Sequence, residues 1–305
     1  MATEIVLGDA GLLKPGPLRW LRALAWLCAL TVLCVLAFNV AADSSLRISA
    51  LISGQPFIDR AHAPHAARLI AVIVGSIGML AIYALGVRFA ERRAPREIGL
   101  TYLAPDLIVG LVIGGALIAA IVAIMWAAHW VTIAPTPITH VAESLKEAVQ
   151  SGVIEETLMR LVIFRLLWRV TSVWPAFILT AVLFGALHLS NPDATPFSAA
   201  CLVAGEGVGA GLYLLTGRVW MSIGMHAGWN FMQGWVFGAA VSGLEVFAGG
   251  PLQTHPVAGT SDMLSGGGFG PESSAASLAV SLLASIACMV LAWKGGRLKV
   301  RSEPA

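Results

Sequence analysis

Apolar runs of about 20 residues recur from Trp20 to Trp293, separated by short segments rich in Gly, Pro, Asn and Asp. Wound as an α-helix rising 1.5 Å per residue, a run of that length crosses roughly 30 Å of hydrocarbon. The pattern predicts eight spans, at about 20–42, 67–90, 107–131, 145–170, 174–190, 197–216, 219–242 and 274–293. Alternation with period two is absent, and a spanning strand would need a closed barrel to pair its backbone, so strands are not expected. The breaks carry turn signals such as Ser190-Asn191-Pro192-Asp193 and Thr216-Gly217-Arg218. Two connections are longer: a mixed polar stretch at 43–66, and 243–273, which holds Gly249-Gly250-Pro251 and a glycine-rich run from Ser265 to Pro271. No internal repeat is evident, so an inverted-repeat transporter finds no support. The expected fold is all-α: one polytopic membrane domain over 1–305, a bundle of about eight transmembrane helices. Within it, 1–139 holds spans without diagnostic residues, 140–242 the core spans, and 243–305 an outer loop and the last span.

Composition agrees with that reading. The chain is 57% hydrophobic and 12% charged, where a soluble domain carries about a quarter charged residues. The formal net charge of +2 says little about partners, and no basic run interleaved with aromatics points to nucleic acid. The placement of charge is more informative. With the N-terminus inside and the spans alternating, fourteen of the 19 Lys and Arg fall at cytoplasmic ends, among them Lys14, Arg19, Arg22, Arg88, Arg93, Arg165, Arg218, Lys294, Lys299 and Arg301. Four (Arg47, Arg60, Arg68 and Lys146) fall outside, and Arg160 lies within a span. The positive-inside rule then predicts an inner (plasma) membrane protein with both termini cytoplasmic. The first run follows Lys14, Arg19 and Arg22 and ends in Ala-Ala-Asp, which reads as an uncleaved signal anchor. Cys28, Cys34, Cys201 and Cys288 sit in apolar stretches without metal-ligand spacing and read as small core residues.

An ionised side chain at mid-membrane costs at least about 2.5–3.5 kcal/mol on insertion scales, so charges inside a span point to function. The fourth span reads Ser151-Gly-Val-Ile-Glu155-Glu156-Thr-Leu-Met-Arg160. Glu156 and Arg160 stand four apart on one helix face and can pair, while Glu155 points roughly 100° away and is left free. A helix-locking ion pair accounts for Glu156 and Arg160 but not for Glu155. His188 closes Phe184-Gly-Ala-Leu-His188 on the fifth span, and His226 and Asn230 share one face of the seventh. Taken singly, each reads equally well as polar glue between helices, worth about 1 kcal/mol. Depth joins them. Measured from the cytoplasmic end of its own span, the glutamate pair lies roughly 21–23 Å deep, His188 roughly 21 Å, Asn230 roughly 18 Å and His226 roughly 12 Å. Three helices thus bring acid, imidazole and amide groups to overlapping depth, with His226 about two turns out of line.

A carboxylate and an imidazole converging on one point can activate a water, and a second imidazole with a side-chain amide can donate to a developing oxyanion. Those parts suit hydrolysis of an amide bond. Glu155, His188 and His226 equally form the ligand set of a catalytic zinc, and the sequence leaves open whether the cofactor is zinc or none. No Gly-x-Ser-x-Gly elbow, nearby cysteine or His-Glu-x-x-His is present. The remaining histidines, His62, His65, His129, His140 and His255, fall in loops or at span ends and read as surface groups.

Glu155-Glu156-x-x-x-Arg160, Phe184-x-x-x-His188 and His226-x-x-x-Asn230, in this order on successive spans, resemble the three signature motifs of the CPBP family. That family groups CAAX prenyl endopeptidases with bacterial relatives linked to bacteriocin processing and self-immunity. The resemblance covers roughly 140–240, and Phe269-Gly-Pro-Glu272 also resembles a recurrent segment of bacterial members, without an assigned role. It implies an intramembrane peptidase in which Glu155 activates water with help from His188. His226 and Asn230 would line the oxyanion site, and Glu156 with Arg160 would organise the helix. The family has been described both as metal-dependent and as glutamate-dependent without metal. The implied partners are the bilayer and a peptide or protein substrate, prenylated in the name-giving members. Glu206, inside the sixth span but outside the motifs, is expected to reach the cavity or to pair with a basic group. Two rival readings stay open. One is a non-catalytic immunity or scaffold protein of the same architecture, and the other a proton-coupled transporter relaying through Glu155, Glu156 and Glu206.

Overall fold

The computed structural model describes residues 2–298; Lys299 and Arg301 of the charge pattern lie outside the described residues. The chain begins with α1 (Arg19–Ser53), α2 (His65–Leu85), α3 (Leu103–Ala127) and a short strand β1 (Val131–Pro135). Helix α4 (Val141–Glu156) then runs without a break through a π-helical stretch, Thr157–Phe164, into α5 (Arg165–Val170). After it come α6 (Val173–Leu187), α7 (Pro196–Thr216) and α8 (Trp220–Phe231). A strand β2 (Leu252–Pro256), a single turn α9 (Asp262–Ser265) and α10 (Ala275–Lys294) complete it.

Local sequence explains where these rods start and stop. Helix α7 opens on a capping box, with Ser198 N donating to Thr195 Oγ1 at 3.0 Å and Thr195 N to Ser198 Oγ at 2.8 Å, and Pro196 at its first position. It closes on Gly217 at φ +67, a left-handed conformation that favours glycine. In α1 the buried residues Ala23, Trp26, Leu30, Cys34, Phe38, Ala42 and Leu46 recur every three or four positions. Val32, Leu36, Val40 and Ile48 on the same helix are exposed, as a lipid-facing surface requires. The expected polar connection at 43–66 is therefore half helix, because α1 continues to Ser53.

All eight expected spans are helical, but six are long and apolar enough to cross a membrane: Arg19–Ser53, His65–Ala90, Arg96–Ala127, Val173–Ser190, Pro196–Thr216 and Ala275–Lys294. The other two, expected at 145–170 and 219–242, fall short for a physical reason. The first is interrupted by Glu155, Glu156, Arg160, Arg165 and Arg169, and the second, α8, is 12 residues long before it passes into a π-helical turn. Helix α8 is enclosed by α3, α4 and α7, so its polar groups need not face lipid. The protein is a multi-pass helical membrane protein.

The α3–α8 seam is unusually close. A Cβ on Gly110 or Gly114 would come within 2.2 Å and 1.9 Å of the carbonyls of Met221 and Met225. On the facing helix, a Cβ on Gly224 or Gly228 would come within 2.4 Å of the carbonyls of Leu107 and Leu111. Two glycine pairs, each four apart, let the backbones touch, a packing that the sequence did not announce and that suits a membrane.

Several basic residues assigned to cytoplasmic ends prove to be buried and paired. Arg165 donates to both oxygens of Glu91 at 2.8 Å and 2.7 Å, Arg93 bridges Glu91 at 2.8 Å and Glu97 at 2.6 Å, and Tyr83 donates to Glu97. Arg218 forks onto Asp106 at 2.6 Å and 3.1 Å. These cations anchor the helix ends, a role distinct from the loop charges that the positive-inside rule counts. The sequence also missed β1 and β2, which pair antiparallel with Val131 opposite Pro256. They do not span. The pairing ties the long 243–273 connection back to the end of α3.

Candidate active site

The centre of the site is a chain of charges running from α4 to α7. Arg160, 2% exposed, donates Nε to Glu156 Oε2 at 2.7 Å and Nη2 to Glu156 Oε1 at 3.1 Å. Its other edge serves Glu206 on α7, with Nη1 donating to Oε1 and Nη2 to Oε2 at 3.0 Å. A planar guanidinium can give two donors to each of two carboxylates at once, where an ammonium, with three donors, cannot. Gly209, one turn beyond Glu206, makes room: a Cβ there would sit 2.4 Å from Arg160 Nη2. The expected Glu156–Arg160 contact is present, and Glu206 takes both of the positions open to it, lining the cavity and pairing with a cation.

Glu156 in turn holds His226. The His226 Nδ1 lies 3.0 Å from Glu156 Oε1, and since a carboxylate only accepts, Nδ1 carries the proton. The other ring nitrogen, Nε2, then faces Glu155 Oε2 at 3.7 Å. From the end of α6, His188 faces the same oxygen, its Nε2 at 3.9 Å. The Nδ1 of His188 is 2.8 Å from the carbonyl of Phe184, which fixes the proton on Nδ1 and leaves a lone pair on Nε2. The Phe184 ring packs against both imidazoles, with centroids 4.6 Å from His188 and 6.3 Å from His226. Glu155 Oε2 is buried and has no hydrogen-bond partner. One carboxylate is thus engaged and its neighbour is free.

Asn230, one turn past His226, donates Nδ2 to Ser151 Oγ at 2.8 Å, one turn before Glu155 on α4. All six residues singled out from the sequence (Glu155, Glu156, Arg160, His188, His226 and Asn230) line one cavity of about 350 Å³. His226 is not out of line, contrary to its counted depth. The eight residues from Thr157 to Phe164 are π-helical and rise less per residue, so Glu155 lies nearer the helix end than an α-helical count gives. The start of α8 is also drawn into the bundle, where Val219 N donates to the carbonyl of Glu97 at 3.0 Å.

The roof of the cavity comes from the long connection and carries a residue to which the sequence assigned no role. Glu272 Oε1 accepts from Ser242 N at 2.7 Å and lies 2.6 Å from Ser242 Oγ, while its Oε2 accepts from Trp229 Nε1 at 3.2 Å. The Ser242 carbonyl accepts from Asn191 Nδ2 at 3.0 Å, just beyond His188. Burial pushes the Glu272 carboxyl above the usual range, against the pull of the Ser242 hydrogen bonds. Of Phe269-Gly-Pro-Glu272, the strap of the roof, Glu272 is thus the residue that lines the cavity. A charged residue inside an apolar span was the available signal for Glu206, whereas nothing local marked Ser242 or Gly209.

The donor set of one carboxylate oxygen and two imidazole nitrogens has the chemistry of a zinc site. Two ligands bound to a tetrahedral zinc at 2.0–2.2 Å stand about 3.3–3.6 Å apart. The Glu155–His226 and Glu155–His188 gaps of 3.7 Å and 3.9 Å are wider, and no group of three such side chains among the described residues closes on one ion. As placed, these three side chains stand slightly wider than a bound zinc would hold them, and no step is routed through a metal.

Residues 137–232 match the family model for type II CAAX prenyl endopeptidase Rce1-like proteins. The matched segment carries all six side chains, and the resemblance read from the three motifs is borne out at the level of the family. At that level the match indicates a membrane protease. No curated protein and no solved structure matches the chain.

Proposed function

We propose that the chain is an intramembrane endopeptidase that hydrolyses a peptide bond with a water activated by Glu155 and His188. The supporting observation is the buried, unpartnered Glu155 Oε2 facing two imidazoles across 3.7 Å and 3.9 Å, gaps too long for a direct hydrogen bond, at the edge of a cavity that a substrate can enter. A water that donates one proton to Glu155 and the other to the His188 Nε2 lone pair turns its own lone pairs toward a substrate carbonyl. Glu155 takes up the proton released on attack and returns it to the leaving amine. His226, protonated on Nε2 as well as Nδ1 between its two carboxylates, and Asn230 stabilise the oxyanion, Asn230 exchanging its Ser151 contact for the substrate oxygen. The Glu156–Arg160–Glu206 chain keeps His226 pointed at the reacting atoms. The substrate class is a membrane-associated peptide, prenylated if it follows the name of the matched family, and the proposed setting is the plasma membrane with both termini cytoplasmic.

The test is cleavage of a panel of quenched-fluorescence peptides, prenylated and unprenylated, by the protein in liposomes. Glu155→Gln, which removes the base and preserves shape, is expected to lower kcat by about 10²–10⁴-fold while insertion and folding are kept. Wild-type rates in that variant would sink the reading, and pH-driven proton flux without any cleavage would favour the transporter.

A further inference from the structure

Phe269-Gly-Pro-Glu272 has no part in the proposed chemistry, yet Glu272, 4% exposed, lines the same cavity as His188. Its partner Ser242 stands in a two-residue turn whose ends, Val241 and Leu244, exchange backbone hydrogen bonds at 3.0 Å and 2.9 Å. Both central residues have positive φ, +50 at Ser242 and +80 at Gly243. That geometry is a type I′ turn, for which Asn-Gly or Gly-Gly is the unstrained choice and Ser-Gly is not. Glu272 offsets the strain. With Ser242 in the left-handed conformation, its N–H and its hydroxyl both reach Glu272 Oε1, at 2.7 Å and 2.6 Å. A strained residue held by a buried carboxylate, in the wall of the cavity that carries the glutamate and both imidazoles, is a reason to look for a positioning role.

The tip of the turn rests on the residues that follow His188. The Ser242 carbonyl accepts from Asn191 Nδ2 at 3.0 Å, and a Cβ on Gly243 would come within 2.1 Å of the Pro192 carbonyl oxygen. Asn191 is also tied to His188 directly. Its backbone N–H donates to the His188 carbonyl at 3.1 Å, across the 3-10 turn that ends α6. Leu187 and Leu189 are exposed on the lipid side, so the turn is held from the inner side, by α7 and by Ser242. The Phe184 carbonyl and ring orient the His188 imidazole within α6, but they do not fix where the turn itself stands. Glu272, Ser242, Asn191 and His188 form one hydrogen-bonded chain, and all four line the cavity.

We propose that Glu272 is a positioning residue for the hydrolysis: through Ser242 and Asn191 it sets where His188 stands against Glu155. Its effect on rate presupposes the peptidase reading, whereas its effect on His188 does not. In liposomes, Glu272→Ala, which leaves both Ser242 donors without their acceptor, should lower kcat by about 10–100-fold with KM kept within about threefold. Glu272→Gln keeps an acceptor oxygen for Ser242, and Trp229 Nε1 has a second acceptor in Gln233 Oε1 at 3.1 Å, so this variant should regain all but about threefold. Asn191→Ala removes one side-chain hydrogen bond and leaves Glu272 and Ser242 paired, so it carries the test if Glu272→Ala does not fold. It should repeat the loss in kcat, and the two substitutions together should cost no more than the larger alone. In a His188→Ala background either substitution should change the residual rate by less than about twofold. Losses that multiply, an equal loss without His188, or a Gln variant as slow as the Ala variant overturns the positioning role. In nanodiscs with isotope-labelled histidines, the His188 ring signal, identified by its absence from His188→Gln, should move in Glu272→Ala and Asn191→Ala, while those of the exposed His62 and His129 stay. A His188 signal that stays overturns the proposal whether or not peptide is cleaved. No cleavage by the parent protein, with that movement intact, removes the peptidase reading alone.

Discussion

Arg160→Met tests the charge chain most directly. The guanidinium makes four hydrogen bonds to two carboxylates, and Arg160, Glu156 and Glu206 are all nearly inaccessible to solvent. Removing one partner of a buried pair costs about 3–5 kcal/mol, because the remaining charge is left without compensation. Here two carboxylates would be left facing each other, so the expected loss lies in the upper part of that range, about 4–5 kcal/mol. Against a total stability of about 5–15 kcal/mol, that is a large fraction. Lysine keeps the charge but cannot fork, so Arg160→Lys should fall between methionine and the parent protein. Adding Glu206→Gln to Arg160→Met removes one of the two stranded charges and should return at least about 1 kcal/mol, a coupling of the sign expected for residues in one network. The assay is reversible unfolding in mixed micelles of rising denaturing-detergent fraction, followed by tryptophan fluorescence. Arg160→Met within about 1 kcal/mol of the parent, or no recovery in the double variant, would refute the reasoning.

Three further outcomes follow from the same geometry. Gly209→Ala places a methyl group 2.4 Å from a guanidinium that two carboxylates hold in place, and should cost about 1–3 kcal/mol in the same assay, whereas no measurable change would mean that Arg160 is free to move. Burial alone would raise the Glu91 carboxyl, but the Arg165 charge and hydrogen bonds outweigh it and hold the group at about 2. Its stabilising contribution is therefore complete above about pH 4.5 and is lost as pH falls toward 2, so the melting temperature should slope downward across that window and the slope should flatten in Glu91→Gln. Treatment with a strong chelator should leave peptide cleavage within about twofold, since the Glu155 and histidine gaps exceed those of a bound zinc, and a loss reversed by added zinc would contradict this.

The sequence reveals contacts that lie within one helical turn and hides those that do not. Glu156 with Arg160, and His226 with Asn230, stand four apart, so helical periodicity alone puts each pair on one face. The convergence of α4, α6 and α8 was legible because a polar side chain in hydrocarbon demands an explanation and three of them lay at similar depth. Glu206 stood out as a charge in an apolar span, yet its partner lies 46 positions away and could not be named. The Glu272–Ser242 strap joins residues 30 apart through a glycine-rich connection without periodicity. The β1–β2 pairing, with Thr132 opposite His255, joins two connections that lie far apart in the chain. The counted spans missed a different kind of fact. Charge and brevity keep two of the eight from qualifying as membrane-crossing helices by themselves, and they are the two that carry the glutamates and the His226–Asn230 pair.

The glycine seam between α3 and α8 decides which wall of the chamber can yield. With carbonyls lodged where side chains would stand on both helices, α8 can neither slide nor rotate against α3 without a backbone collision, so His226 and Asn230 sit on a fixed jaw. Helix α6 presents Ile178, Leu179, Val182 and Leu187 to the lipid side, and Asn191 just beyond its tip donates to the Ser242 carbonyl in the roof. The two imidazoles therefore reach the site from walls of different kind, His226 from an enclosed helix and His188 from one that borders the lipid.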